Sequence, residues 1–203
     1  MNKLPQITLA FWIMKICATT LGETAGDLLS MTLGVGYALS SVILISLFLV
    51  TLVTQLFSRR YHPVLYWLVI LSTSTAGTTM SDFMDRTLGL GYATGSAVLI
   101  AILALTFALW RLSGDPLNVN AISTRRTELF YWVAILFSNT LGTALGDYLA
   151  DDSGLGFAGG ALLIGAAIGL VVVARYWTRI SGVLLFWICL LYTSPSPRDK
   201  RQS

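Results

Sequence analysis

Apolar residues run through the chain in three long stretches, 37–57, 92–110 and 157–174. Before each lies a mixed stretch in which Trp, Thr, Gly and Asp return at fixed distances. At about 1.5 Å of rise per residue, each apolar stretch is long enough, or nearly so, to cross a hydrocarbon layer ~30 Å thick. Aligning the mixed stretches on Trp12, Trp67 and Trp132 brings Thr20, Thr75 and Thr140 into register, then Gly22, Gly77 and Gly142, then Asp27, Asp82 and Asp147. Gly-x-Gly follows at Gly34/Gly36, Gly89/Gly91 and Gly154/Gly156, with Tyr37, Tyr92 and Phe157 next, and no gap is needed. A fixed period of this length marks a tandem array. Each unit reads as a helix carrying the Trp, Thr, Gly and Asp positions, a glycine-assisted reversal, and an apolar helix.

The predicted fold is an all-α polytopic membrane helix bundle of three tandem two-helix repeats, six membrane helices in all, with the start of a fourth repeat. The boundaries are residues 1–60, 61–125 with a linker from about 112, 126–180, and a short fourth start at 181–188 that holds Trp187, again 55 residues after Trp132. The longer linker suggests two halves of two repeats. Residues 189–203 break the pattern: Pro195 stands where the fourth Thr belongs, and the segment turns Pro-rich and charged. This tail resembles translated sequencing adaptor and is expected to be disordered, which makes the chain carboxy-terminally truncated.

Composition sharpens the membrane reading. Of 203 residues, 55% are hydrophobic and 11% charged, against about 25% charged in a soluble domain. Lys3, Arg59, Arg60, Arg111, Arg125, Arg126, Arg175 and Arg179 lie before or between repeats, and Arg86 alone lies in a turn within one. By the positive-inside rule the amino terminus and inter-repeat loops face the cytoplasm, in a bacterial inner membrane. All repeats then share one orientation, so the symmetry is rotational about the membrane normal. The implied partners are membrane lipids and a small cation, not nucleic acid; oligomeric state is left open.

At ~100° per residue, each Trp-bearing helix shows one oxygen-rich face. It carries Thr20, Glu23 and Asp27 in the first repeat, Thr75, Thr78 and Asp82 in the second, and Thr140, Thr143 and Asp147 in the third. Carboxylates within a membrane are costly, at least about 2.5–3.5 kcal/mol near the centre on insertion scales, and a ring of them favours cations. The structural alternative is that each Asp caps the following turn and each Thr bonds back to its own helix. Lys15, two turns before Glu23, is a basic partner for it or a residue snorkelling to the interface. Asp85 and Arg86 read as a solvated turn pair, and Asp151 and Asp152 as outer surface charges.

Gly22/Gly26, Gly77/Ser81, Gly142/Gly146, Gly36/Ser40, Gly91/Gly95 and Gly156/Gly160 form small-xxx-small pairs that suit close helix packing in lipid. Trp12, Trp67, Trp132 and Trp187 read as interface anchors. Cys17 and Cys189 have no metal-ligand or disulfide spacing. His62 has no Ser or Glu partner in a catalytic motif, and no Walker loop or dinucleotide fingerprint is present. No catalytic residue, cofactor or metal site is predicted.

The stretches "TTLGETAGDLLSMTLGVGYA", "TTMSDFMDRTLGLGYA" and "NTLGTALGDYLADDSGLGFAGGALLIG" resemble bacterial multi-pass proteins described as uncharacterised membrane-anchored proteins, built from a tandem two-helix repeat of unknown function. The resemblance implies four repeats and eight spans in a full-length protein, and no activity. The residues themselves favour a transporter or channel-like protein for a small cation or a proton-coupled substrate. A non-transporting scaffold is the alternative, and an intramembrane enzyme a third.

Overall fold

Local signals fix where the helices begin. The Thr8 hydroxyl accepts the Phe11 N–H (3.3 Å) and starts α1 (Leu9–Asp27). Proline, whose missing N–H costs nothing in a first turn, opens α3 (Pro63–Asp82). Thr124 accepts the Thr127 N–H (3.1 Å) and caps α5 (Arg125–Asp147). The remaining helices of this computed structural model are α2 (Tyr37–Phe57), α4 (Gly91–Leu112), α6 (Gly156–Trp177) and α7 (Gly182–Tyr192). The structure describes residues 5, 7–58, 60–115, 117, 122, 124–177 and 182–192, and all regular structure among them is helical. α7 runs past the boundary expected at 188; residues 193–203 of the tail lie outside the described residues.

The helices bearing the repeated Asp do not end there. Each widens into a π-helical turn, Leu28–Thr32, Phe83–Thr87 and Tyr148–Asp152, closed by Leu33 N–H to Leu28 C=O (2.8 Å), Leu88 to Phe83 (2.9 Å) and Ser153 to Tyr148 (3.0 Å). The chain then reverses through Gly-x-Gly with positive φ at both glycines, for example 67° and 81° at Gly34 and Gly36, a region that costs other residues ~1–2 kcal/mol. The space around Gly36, Gly91 and Gly156 is open. These three therefore shape the turn instead of packing helices, contrary to the expectation from their spacing.

Packing divides the helices into an inner and an outer set. α1 lies on α3, α3 on α5, and α5 on α7. α7 returns to α1 through Phe186, 6.4 Å from Phe11 and 5.8 Å from Trp12 between ring centroids. The first helices of the three repeats and α7 thus close a ring. The outer helices sit one repeat ahead: α2 lies chiefly on α3 and also touches α5, α4 lies on α5, and α6 on α7. The long linker does not split the bundle into halves, since α3 meets α5 as closely as α1 meets α3, and Ile122 from the linker is buried in the core.

Glycine sets that closeness. A β-carbon on Gly22 would stand 2.5 Å from the Ser74 β-carbon, and one on Gly77 would stand 3.1 Å from the Thr140 amide nitrogen. Gly22 and Gly77 are equivalent, as are Ser74 and Asn139, so one contact is used twice. Gly26 and Gly160 have looser surroundings, nearest atoms at 3.4 Å; Gly142 and Gly146 are buried.

The bundle is polar inside and apolar outside. Lys15, Gln55 and Glu128 are fully buried, while Leu39, Val42 and Val50 are more than half exposed. Among the described residues, three helices are long and apolar enough to cross a membrane: Tyr37–Phe57, Gly91–Leu112 and Arg125–Asp152. α1 and α3 fall short of that measure because the interior they line is rich in hydroxyl, amide and charged groups.

Gly22→Leu should cost about 1–3 kcal/mol by overpacking the α1–α3 contact. Gly165→Leu, in a helical position with nothing within 4 Å of the added β-carbon, should be near neutral; thermal unfolding of the two variants in detergent measures the difference.

Candidate functional site

The interior can be followed from the Trp end of the inner helices to the Asp end. The first layer is aromatic. Phe11, Tyr66, Tyr131 and Phe186 occupy the position before each Trp, and all four are buried. Each meets the Trp of the next repeat: Phe11 with Trp67 at 5.7 Å, Tyr66 with Trp132 at 5.4 Å, Tyr131 with Trp187 at 6.0 Å, and Phe186 with Trp12 at 5.8 Å. The Tyr66 and Tyr131 hydroxyls share a hydrogen bond of 2.9 Å. Trp132 is fully buried, and the four tryptophans bind neighbouring repeats together; sequence reasoning had placed them only at the membrane surface.

One turn deeper stand Lys15, Ile70, Ile135 and Leu190, equivalent positions that are all fully buried. The Lys15 ammonium donates to the Asn139 Oδ1 (3.1 Å), whose amide donates to the Thr73 hydroxyl (3.1 Å), which donates to the Ile70 carbonyl (2.7 Å). This chain ties α1, α5 and α3 together. Glu23, also buried, is the charged side chain that bears on Lys15 electrostatically. Lys15 does not snorkel to an interface. The next layer holds Thr78 and Thr143, whose hydroxyls lie 3.4 Å apart across α3 and α5.

At the far end the aspartates face one another through Arg86. Its guanidinium lies 3.5 Å from Asp82 and 3.8 Å from Asp147, both carboxylates being almost wholly buried. The Tyr92 ring lies against the same group, 5.9 Å away. Asp27 is more exposed than its two counterparts. A pair of carboxylates this deep needs a compensating charge, and the π turn carries Arg86 back over Asp82, one turn before it, to supply one. Asp85 is not its solvated partner: it is buried, accepts from the Ser81 hydroxyl (3.2 Å) and packs against Gly95. Asp151 accepts from the Tyr92 hydroxyl (3.3 Å).

The predicted threonine stripe is only partly interior. Thr20 points outward and is exposed, and Thr19 is the buried residue of that turn. Thr75 and Thr140 are buried, but their hydroxyls bond back to the Ser72 and Leu136 carbonyls of their own helices (3.0 and 2.9 Å). Such bonding hides a hydroxyl without a partner helix, and Ser72, Thr73 and Thr79 do the same. The hydroxyl-rich segment 72–79 of α3 is thereby buried on every side.

Sequence reasoning missed Asn139, Thr73, Tyr66, Tyr131 and the buried Gln55–Glu128 pair, in which the Gln55 amide donates to Glu128 (3.1 Å). The signal for Tyr66 and Tyr131 was present, since an aromatic precedes every repeat Trp. Asn139 and Glu128 have no counterpart of their kind in the other repeats, so the repeat pattern gave no lead. Among the described residues, no three His, Cys, Asp or Glu side chains gather as a metal site. What the interior offers is a set of buried polar and ionisable groups: phenols, an ammonium, carboxylates and hydroxyls.

Residues 10–61, 65–115 and 130–181 each match the family described as Repeat of Unknown Function (DUF347). Each match spans most of one inner helix, its π turn and the following outer helix. No curated protein and no solved structure matches the chain.

Removing one partner from a buried ion pair leaves the other charge uncompensated. Arg86→Gln should therefore destabilise the protein by roughly 1–3 kcal/mol, below the full buried-pair cost because Arg86 is about a third exposed and its contacts are long. Adding Asp82→Asn and Asp147→Asn to that variant should restore much of the loss, as read by unfolding midpoints.

Proposed function

The chain belongs to the Repeat of Unknown Function (DUF347) family, and we propose that it is an integral inner-membrane protein that moves a proton or a small cation through the interior of its helix ring. The amino terminus and the loops between repeats lie in the cytoplasm. The inner helices α1, α3 and α5 span the membrane with α7 beside them, and the outer helices α2, α4 and α6 face lipid. The distribution of charge between the loops and the apolar exposed faces supports this arrangement.

One observation carries the transport reading: Lys15 is buried at a level where its three counterparts are Ile70, Ile135 and Leu190. An aliphatic residue fits that layer, and a lysine there costs several kcal/mol in desolvation. A chain with Lys15 there, joined to Asn139 and within the electrostatic reach of Glu23, bears a cost that packing alone does not demand. Buried ionisable groups inside a membrane bundle mark proton and ion paths. Lys15 and Glu23 form the exchanging pair, Thr78 and Thr143 continue the file, and Asp82 and Asp147 form its outer end with Arg86 as an internal counter-charge. Hard oxygen donors of this kind suit H⁺, Na⁺ or Mg²⁺ over soft metals.

The scaffold reading has one observation in its favour. Arg86 occupies Asp82 and Asp147 together, so these two carboxylates also act as a clasp between α3 and α5. In proteoliposomes with a pH dye inside, the parent protein should dissipate an imposed proton or cation gradient. Lys15→Leu and Glu23→Gln should reduce that flux at least tenfold, while Lys15→Leu keeps or raises the unfolding temperature. A parent without flux, or variants with parental flux, would leave the scaffold reading standing.

A further inference from the structure

An apolar groove of about 780 Å³ runs along the outside of the bundle between α1 and α3. Ile13, Cys17 and Leu21 form one wall, and Pro63, Trp67 and Leu71 the other. Two equivalent grooves of the ring are filled. α2 lies between α3 and α5: its Thr51 hydroxyl bonds Ser72 on one wall (2.9 Å), and its Gln55 amide bonds Glu128 on the other (3.1 Å). α4 lies between α5 and α7: its Trp110, equivalent to Gln55, stacks on Phe130 of α5 (6.1 Å) and sets its face to the edge of Trp187 of α7 (6.0 Å). Moving α2's two contacts back by one repeat turns Ser72 into Cys17 and Glu128 into Pro63. Both residues line the α1–α3 groove, and Cys17 is exposed.

We propose that this groove seats one further apolar membrane-spanning helix of the α2, α4 and α6 kind, antiparallel to α1 and α3. α2 and α4 each fill the space between the inner helices of the next two repeats, α6 lies on α7, and the α7–α1 contact closes that order into a ring. Among the described residues, the α1–α3 space is a seat of the same type left open as a groove. The wall chemistry specifies the occupant. Pro63 offers no side-chain acceptor where Glu128 accepts from Gln55, so the seated helix carries an apolar residue at the Gln55 register. Cys17 meets whatever stands at the Thr51 register. The groove's apolar lining selects a lipid-soluble helix over a polar peptide.

Cross-linking tests this without reference to transport, so its failure leaves the proposed activity untouched. The full chain with Cys189→Ser keeps Cys17 as its one cysteine. It is co-expressed with a separate helix of the sequence of residues 34–58 carrying Gln55→Leu and Thr51→Cys, and membranes are oxidised with copper phenanthroline. The expected result is a one-to-one disulfide product through Cys17, with at least tenfold less product when the helix carries Leu49→Cys on its opposite face in place of Thr51→Cys. Equal product from both faces, no product from an inserted helix, or a Cys17–Cys17 dimer of the full chain would overturn the proposal, the last by giving the groove to a second copy.

Discussion

Phe186 of α7 lies against Phe11 and Trp12 of α1, and that contact turns a row of repeats into a ring. Without it, α1 and α7 would each have an inner neighbour on one side only and would present an open face on the other. With it, every inner helix gives its aromatic residue to the Trp of the next, and the four rings fill the axis at one end. Edge-to-face and tilted aromatic pairs add about 0.5–1.5 kcal/mol beyond their buried area. The same geometry holds the inner helices close enough for Gly22 and Gly77 to matter, because a backbone contact near 3 Å tolerates no side chain between.

Everything polar follows from that enclosure. Burial in the bundle takes hydroxyls and charges out of bulk solvent, so a partner within the protein lowers the cost of placing them there. Ser72, Thr73, Thr75 and Thr79 of α3 take theirs from their own helix carbonyls, which frees the segment 72–79 to be buried on all sides. The charges cannot be satisfied locally. Lys15 reaches Asn139 on α5, and Asp82 and Asp147 share Arg86, so the charged groups become the cross-braces between helices as well as the chemistry of the interior. The Arg86 clasp on Asp82 and Asp147 thus serves stability and the proposed ion path together.

The repeat made much of the fold legible. Three copies of Trp, Thr, Gly and Asp in register marked the helix pairs, and the Gly-x-Gly positions marked the reversals. A periodic sequence cannot show which helices touch, because any two copies look alike. It gave no sign that α2 packs on α3 instead of returning to α1, or that Arg86 closes over two aspartates. Thr20 shows the limit at single residues. A helical wheel places it beside Asp27, yet the bundle axis passes on the Thr19 side, and one position of 100° is the difference between exposed and buried.

The sequence by itself determined the units: their number, their helical character, the conformation of their turns, and the polarity that divides inner from outer helices. These depend on local propensity and on periodic burial, which a linear order of residues carries. Only the tertiary structure decided the partners. Tyr66 with Tyr131, Lys15 with Asn139, Gln55 with Glu128 and Arg86 with two carboxylates are separated by 65, 124, 73, and 4 and 61 residues along the chain. All but the Arg86–Asp82 contact, one helical turn apart, exist because helices of different repeats pack side by side and bring distant positions to the same depth.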